Sequence, residues 1–130
     1  MITFKSTEDL AKLPPEDPAF PTVKELVERL ITAYTEPGQP YNWRDYGYVI
    51  LIQESDIDRS LDEIWDGCTL LSIYWEGIML RDGFYIAIYL ANNEYGLIFV
   101  IPDAPWVNGE LRLMIDDNLD PLPEPSSINR

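Results

Sequence analysis

Acid–base or metal-binding chemistry in this sequence would have to rest on carboxylates. The 130 residues include 23 Asp and Glu, no His and a single Cys, Cys68. The commonest general base and transition-metal ligand is therefore missing, and a lone Cys nucleophile usually needs such a base. Asp56 and Asp58 are spaced like the start of a calcium loop, but Leu61 stands where that loop needs Gly and Gly67 where it needs Glu. The sequence predicts no metal site and no cofactor.

Motifs of established catalytic sites are absent from the sequence. It contains no nucleophile elbow, phosphate-binding loop, dinucleotide fingerprint or Cys-x-x-Cys pair. Paired carboxylates can still act as acid and base, as they do in glycosidases. Asp45, Glu54 and Glu76 lie nearest to aromatic residues, but no spacing selects a pair among them. An enzyme or small-ligand binder with carboxylates in a cleft beside Trp43 and Tyr48 therefore stays the alternative to a non-enzymatic function.

The clearest anomaly of the composition is its excess of negative charge. Lys and Arg together number nine, so the net charge is −14 and the sequence pI is about 4.1. Such a field repels nucleic acids and anionic membranes, whose binding needs clustered Lys or Arg. No apolar run reaches the ~18 residues of a membrane span, and the first residues lack the apolar core of a secretory signal. We therefore expect a cytoplasmic protein that binds neither nucleic acid nor membrane directly.

Acidic residues recur at helical spacing in two predicted helices. Asp58, Asp62 and Asp66 follow one another at intervals of four, and Asp116 and Asp117 lie in the last predicted helix. Such rows are either an ordinary solvated face or a surface that attracts a basic partner. Imitation of nucleic-acid phosphates is a special form of the second interpretation. Its geometry is loose, because carboxylates four apart advance ~6 Å along a helix, against ~3.4 Å per phosphate along a DNA strand.

An aromatic loop is the second candidate for a binding surface. Tyr41, Trp43 and Arg44 follow the first predicted helix, and these residue types are enriched at interface hot spots. Tyr85 and Tyr89 are predicted on the solvent side of a later strand, where they would extend the aromatic surface. The competing interpretation is structural: the loop folds back and covers one end of the core.

Hydrophobic periodicity predicts helices at both ends of a strand-rich middle. Thr22 and Glu25 have the spacing of a capping box at the start of the first helix. Turn signals at 81–83 and 92–96 indicate hairpins, whose strands are antiparallel neighbours. The predicted helices span about 21–34 and 55–67, and the predicted strands span 48–52, 69–75, 77–80, 84–90 and 97–101.

The last third of the chain decides the predicted architecture. Residues 106–119 fit either a helix or a hairpin, and we favour the helix because residues 113–117 break strict alternation. Segregated strands and helices indicate the α+β class. We expect one domain over 1–130, with a docked arm at 1–20 and a loose Pro-rich tail at 120–130. The expected sheet is an antiparallel β-meander, packed on one face by two or three helices.

Charge and aromatic residues together predict a protein-binding function. We expect a small acidic module, in its most concrete form an inhibitor or immunity-type protein that engages a basic partner. A strong field of one sign gives fast, salt-sensitive association with such a partner. Self-association through a strand edge or through the Tyr face is a further possibility, which leads to a homo-oligomer.

Overall fold

One five-stranded sheet organises the fold, as seen in a computed structural model in which residues 1–56, 73–91 and 95–119 are described. Its strands are β1 (Ile2–Phe4), β2 (Gly47–Leu51), β3 (Ile73–Arg81), β4 (Phe84–Ala91) and β5 (Tyr95–Pro102). The described helices are α1 (Phe20–Tyr34), α2 (Trp43–Tyr46) and α3 (Gly109–Asn118), with 3₁₀ turns at Thr7–Lys12 and Glu54–Asp56. The predicted α+β class is confirmed.

The sheet is mixed, so the prediction of a purely antiparallel meander is wrong. Its strand order is β1-β2-β5-β4-β3. The meander is present in β3, β4 and β5, but β2 then pairs with the free edge of β5 in parallel, with Val49 opposite Ile98. Short hairpin loops fix only strands that follow one another directly. The β2–β5 pair joins strands far apart in the sequence, and no turn signal specifies its direction.

Helices cover both faces of the sheet, and the prediction of helices on one face is also wrong. On one face, Ile50 and Phe99 belong to the same core cluster as Ile115 of α3. On the other face, Val49 packs in a cluster with Val23 of α1. Strand β2 is buried at every position, and a strand with two apolar faces needs a layer on each side. The two helices are those two layers.

Helix α1 confirms the helix predicted at about 21–34 but begins two residues before the predicted cap, Thr22. The Asp17 carboxylate accepts the backbone N–H of Ala19 at 2.8 Å, and helical residues start at Phe20. Thr22 lies inside the helix and is buried, so it does not cap it. The helix ends at Tyr34, which places that ring beside the aromatic loop.

Local signals were reliable at the β3–β4 turn and in the last described helix. Asp82 and Gly83 have φ of 53° and 84° and join β3 to β4, as a primed hairpin turn requires. Within the described residues, the two strands predicted at 69–75 and 77–80 form one strand, Ile73–Arg81, with a register shift between Trp75 and Gly77, and residues 69–72 lie outside the described ranges. The helix predicted in 106–119 is confirmed as α3, with Asn108 at its N-cap position.

Several predictions fall on residues outside the described ranges. Of the helix predicted at 55–67 only the preceding 3₁₀ turn is described, and the predicted Pro-rich tail is not. Strand β1 pairs antiparallel with β2, which attaches the first residues of the chain to the sheet. None of the helices in the described ranges has the length and apolar character needed to cross a bilayer.

Candidate functional site

The chain between α1 and β2 folds into an aromatic groove at residues 34–46. The short helix α2 is capped by Asn42, whose side-chain oxygen accepts the N–H of Arg44 at 3.1 Å. The same side chain donates to a carboxylate oxygen of Asp45 at 2.8 Å. Gly47 then ends the helix at a φ of 99°, a left-handed value that favours glycine. These local bonds stabilise the turn that carries the aromatic residues.

Three tyrosine rings form the wall of the groove. Tyr34 stacks on Tyr46 with ring centroids 5.0 Å apart and an interplanar angle of 15°. Tyr41 is tilted against Tyr46 at 6.3 Å and donates its hydroxyl to the Gly47 carbonyl at 2.6 Å. Tyr34 remains 48% exposed. Its stacking on Tyr46 therefore leaves a large part of the residue accessible to solvent.

The environment of Tyr41 keeps its phenol neutral. Burial raises the pKa of Tyr41 to about 12, with a smaller contribution from the neighbouring Tyr34. Desolvation disfavours the charged phenolate, so the uncharged form persists to higher pH. Tyr41 therefore contributes an uncharged phenol to the wall of the groove, and its ring face has a negative quadrupole.

Trp43 links the groove to the core and carries two cations. It makes an edge contact with Tyr48 at 5.6 Å and packs against the core cluster of the α3 face. The Lys5 ammonium lies 3.9 Å from the centre of the Trp43 ring, and the Arg44 guanidinium carbon lies 4.8 Å from it. Trp43 covers one end of the core and also faces the groove. It is therefore consistent with both interpretations of the loop, a cover for the core and a binding surface.

The groove encloses a cavity of about 520 Å³. That volume falls within the usual range of small-molecule sites, ~300–1,000 Å³. Carboxylates of Glu36 and Asp45 line it together with the exposed cation Arg44. Asp45 already accepts one hydrogen bond from Asn42. Trp43 and Asp45 thus lie in the lining of one cavity, whereas Tyr48, beside which the cleft was also expected, is buried and does not line it.

Tyr85 does not belong to an exposed aromatic surface, so its predicted solvent-side position is wrong. It is 7% exposed and lies in the core cluster that α3 covers. Its hydroxyl donates to Asp103 at 3.2 Å and accepts from the Arg112 guanidinium at 3.1 Å. That hydrogen bond is the main reason that the pKa of Arg112 is raised. The helix α3 was predicted, but its position on the second face of the sheet was not, and that position explains the burial.

The acidic candidates are only partly described. Asp116 and Asp117 are exposed on α3, and the Asp116 carboxylate lies 3.8 Å from the guanidinium of Arg112. The row Asp58, Asp62, Asp66 and the side chain of Tyr89 lie outside what the structure describes. Of the ten predicted binding residues, the structure brings together Tyr41, Trp43 and Arg44.

Two groove residues, Tyr34 and Glu36, were not predicted to bind, because they lie at the end of the first predicted helix and in the turn after it. The available signal was an aromatic residue at the last helical position, three residues before the Pro37-Gly38 pair. Such a residue has little helix left to pack against, so its ring is free to contact the following loop.

Comparisons with protein-family models, with curated proteins and with solved structures find no match to this chain. In residues 1–56, 73–91 and 95–119, no group of three or more His, Cys, Asp or Glu side chains is arranged to hold a metal ion. The groove and the net charge are therefore the features of this chain that bear on its function.

Proposed function

We propose that this protein is a small acidic binding module that engages a basic protein partner through the groove at residues 34–46. The observation that carries the proposal is the clustering of Tyr34, Tyr41, Tyr46 and Trp43 around an open cavity in a chain of net charge −14. The narrower form, an inhibitor or immunity-type protein, requires that the partner loses its activity when bound.

Ring clustering and charge support different steps of binding. Tyr and Trp are hot-spot residues because they bury a large area with few rotatable bonds. A field of one sign raises the rate of encounter with a partner of opposite sign, by ~10–10³-fold at low salt. The groove thus provides short-range affinity, and the net charge provides long-range steering.

The test is capture of a partner followed by kinetics at two ionic strengths. The full chain is immobilised, bound proteins are identified by mass spectrometry, and the association rate of each purified partner is measured by surface plasmon resonance. We expect a partner of basic pI whose association rate falls at least about tenfold between low salt and ~0.5 M NaCl, because screening shortens the Debye length. An association rate that is indifferent to salt, or the capture of acidic proteins alone, would overturn the proposal.

Inhibition and nucleic-acid mimicry are separable by competition. If the partner acts on nucleic acid, its activity is assayed with increasing amounts of this chain. If the chain imitates nucleic-acid phosphates, duplex DNA should displace it from its partner, because the DNA and the chain would occupy the same basic surface. If duplex DNA does not displace the chain, the protein-binding function stands and the hypothesis of nucleic-acid mimicry is rejected.

The cavity favours one second candidate, a small-ligand binder or enzyme. Its volume and its two lining carboxylates, Glu36 and Asp45, are the specific observations. This alternative expects a small molecule to copurify with the chain in a one-to-one complex, detectable by native mass spectrometry. If the cavity binds a small ligand, Asp45→Asn should abolish that complex. If it binds a protein partner, Asp45→Asn should weaken the binding of that partner only in part.

A further inference from the structure

Aromatic rings around the groove already accept cations within the chain. Lys5 and Arg44 lie over Trp43, and the Lys5 ammonium is also 5.0 Å from the Tyr48 ring. Ring faces attract cations through their quadrupole, most strongly for Trp and Tyr. The same attraction applies to Tyr34 and Tyr46. In the described ranges the chain's own cations lie over Trp43, Tyr48 and Tyr85 instead.

Tyr34 offers the groove its most accessible ring. One face is stacked on Tyr46, and the ring is still 48% exposed. A planar group placed on the outer face of Tyr34 would therefore extend an existing stack. Guanidinium is such a group, because it is planar, permanently charged and more weakly hydrated than an ammonium.

Two carboxylates complete the requirements for a guanidinium. Glu36 and Asp45 line the cavity that Tyr34 also lines, and both are exposed. Asp45 accepts the side-chain N–H of Asn42 through one of its two oxygens. A carboxylate has about four acceptor sites, so it can still accept the N–H groups of a guanidinium. A ring face and carboxylate oxygens are the two contacts that a guanidinium group makes best.

We propose that the groove binds an arginine side chain of a protein partner, with its guanidinium stacked on Tyr34 and hydrogen-bonded to Glu36 and Asp45. This assignment rests on the proposed function and specifies which group of the basic partner the groove recognises. Arginine is selected over lysine because an ammonium neither stacks as a plane nor donates as a fork.

Three blocked peptides test the ligand chemistry directly on the full chain. They are Ac-Gly-Arg-Gly-NH₂, its lysine analogue and its citrulline analogue, which keeps the planar shape without the charge. Each is titrated at low ionic strength, and amide chemical shifts are followed by NMR. We expect saturable shifts centred on residues 34–46 with the arginine peptide, and binding weaker by about threefold or more with lysine. Equal binding of the citrulline peptide, or shifts centred elsewhere, would overturn the assignment.

Two pairs of variants separate groove contacts from general electrostatics. Glu36→Gln and Glu54→Gln remove the same charge, but Glu54 lies on the 3₁₀ turn and not in the lining of the groove. We expect Glu36→Gln to weaken binding of the arginine peptide by about threefold. Glu54→Gln should leave the affinity for this peptide nearly unchanged. Equal losses would mean that the peptide senses only the net charge, and the assignment would fail.

The second pair tests the ring. Tyr34→Ala removes the outer stacking face, and Leu113→Ala truncates an apolar side chain on α3 that is 63% exposed. We expect about threefold weaker binding for Tyr34→Ala only. Spectra of the unliganded variants show whether the groove is retained, and Glu36→Gln carries the test alone if Tyr34→Ala disturbs it.

Failure of this assignment is distinguishable from failure of the proposed function. If a captured basic partner binds with the expected salt dependence but Tyr34→Ala and Glu36→Gln have no effect on it, the module stands and the arginine site is wrong. If no salt-sensitive basic partner exists, the peptide titration still reports whether the groove binds guanidinium.

Discussion

Asp56 is a buried carboxylate that forms an ion pair with the α-ammonium of Met1. It is 2% exposed, accepts the backbone N–H of Gln53 at 2.8 Å and lies 2.8 Å from the α-ammonium of Met1. Removing one partner of a fully buried ion pair costs ~3 kcal/mol or more, because the other charge is left uncompensated. The pair with Met1 is part-buried, so we expect Asp56→Asn to lower the free energy of unfolding by about 2 kcal/mol in urea denaturation.

The control for Asp56 is its exposed neighbour in the 3₁₀ turn. Glu54→Gln removes the same charge two residues away and leaves a solvated amide. Surface changes of this kind stay within about 0.5 kcal/mol. If both substitutions had the same effect on the urea midpoint, the ion pair would contribute nothing beyond the general charge.

Because the pKa of Tyr41 is raised in the folded state, we expect the free energy of unfolding to fall at alkaline pH. Its folded pKa is raised to about 12, while an unfolded tyrosine ionises near ~10. Below pH ~10 both states hold the proton and stability is unaffected. Between the two pKa values the unfolded state releases its proton first, so the free energy of unfolding falls as pH rises.

The phenylalanine variant isolates that contribution. Tyr41→Phe removes the hydroxyl that donates to Gly47, at a cost of about 1 kcal/mol near neutral pH. It also removes the titrating group, so the fall in stability above pH ~10 should be shallower in urea titrations of the variant. The absorbance of tyrosinate should likewise show one late-ionising tyrosine fewer. Identical slopes for both proteins would show that Tyr41 does not titrate abnormally.

At the scale of elements, α3 is attached to the sheet by a polar contact as well as by its apolar face. The Tyr85 hydroxyl on β4 joins Arg112 of α3 to Asp103, which follows β5. Residues in one hydrogen-bond network couple in double-mutant cycles by ~0.5–3 kcal/mol. We expect a coupling of about 1 kcal/mol between Tyr85→Phe and Arg112→Met in urea denaturation.

A control for that cycle uses an arginine on the other helix. Arg29 is exposed on α1 and takes no part in the Tyr85 network. The cycle between Tyr85→Phe and Arg29→Met should give additive effects, since additivity holds for independent sites. Coupling of equal size in both cycles would mean that the hydroxyl acts on overall stability and not on the attachment of α3.

The elements themselves were largely predictable, whereas their arrangement was not. Helical periodicity placed α1, the Asp82-Gly83 pair placed the β3–β4 turn, and broken alternation favoured α3, because each is a local property of the chain. The parallel pairing of β2 with β5 depends on contacts between distant segments. The burial of Tyr85 follows from that same arrangement, since alternation alone does not say which face a second helix will cover.

The candidate site was predictable only where one short segment determines it. Tyr41, Trp43 and Arg44 stood out by residue type, and the structure places all three in the lining of one cavity. Tyr34 also lines the cavity, because α1 ends at this residue and its ring stacks on Tyr46 of the following loop. The helix end and the loop conformation, set by the Asn42 cap and Gly47, together decide which rings meet.

For the whole molecule, a net charge of −14 acts on the fold and on its partner in opposite directions. Nine cations cannot pair with 23 carboxylates, so the folded chain repels itself. Raising NaCl from ~10 mM to ~0.5 M shortens the Debye length from about 30 Å to below 8 Å. Screening should therefore raise the urea midpoint of unfolding while it slows association with a basic partner.

Measuring both quantities on one preparation tests whether the charge has that double effect. Urea midpoints report the self-repulsion, and association rates report the steering, each as a function of NaCl. Replacing NaCl by sucrose gives the control, because an osmolyte stabilises the fold by exclusion without screening charge. Sucrose should raise the midpoint, and it should slow association only through its viscosity, so that the dependence of the association rate on NaCl is retained. If NaCl lowered the urea midpoint, attractive ion pairs would outweigh repulsion in this fold, and the charge would have to be regarded as structural.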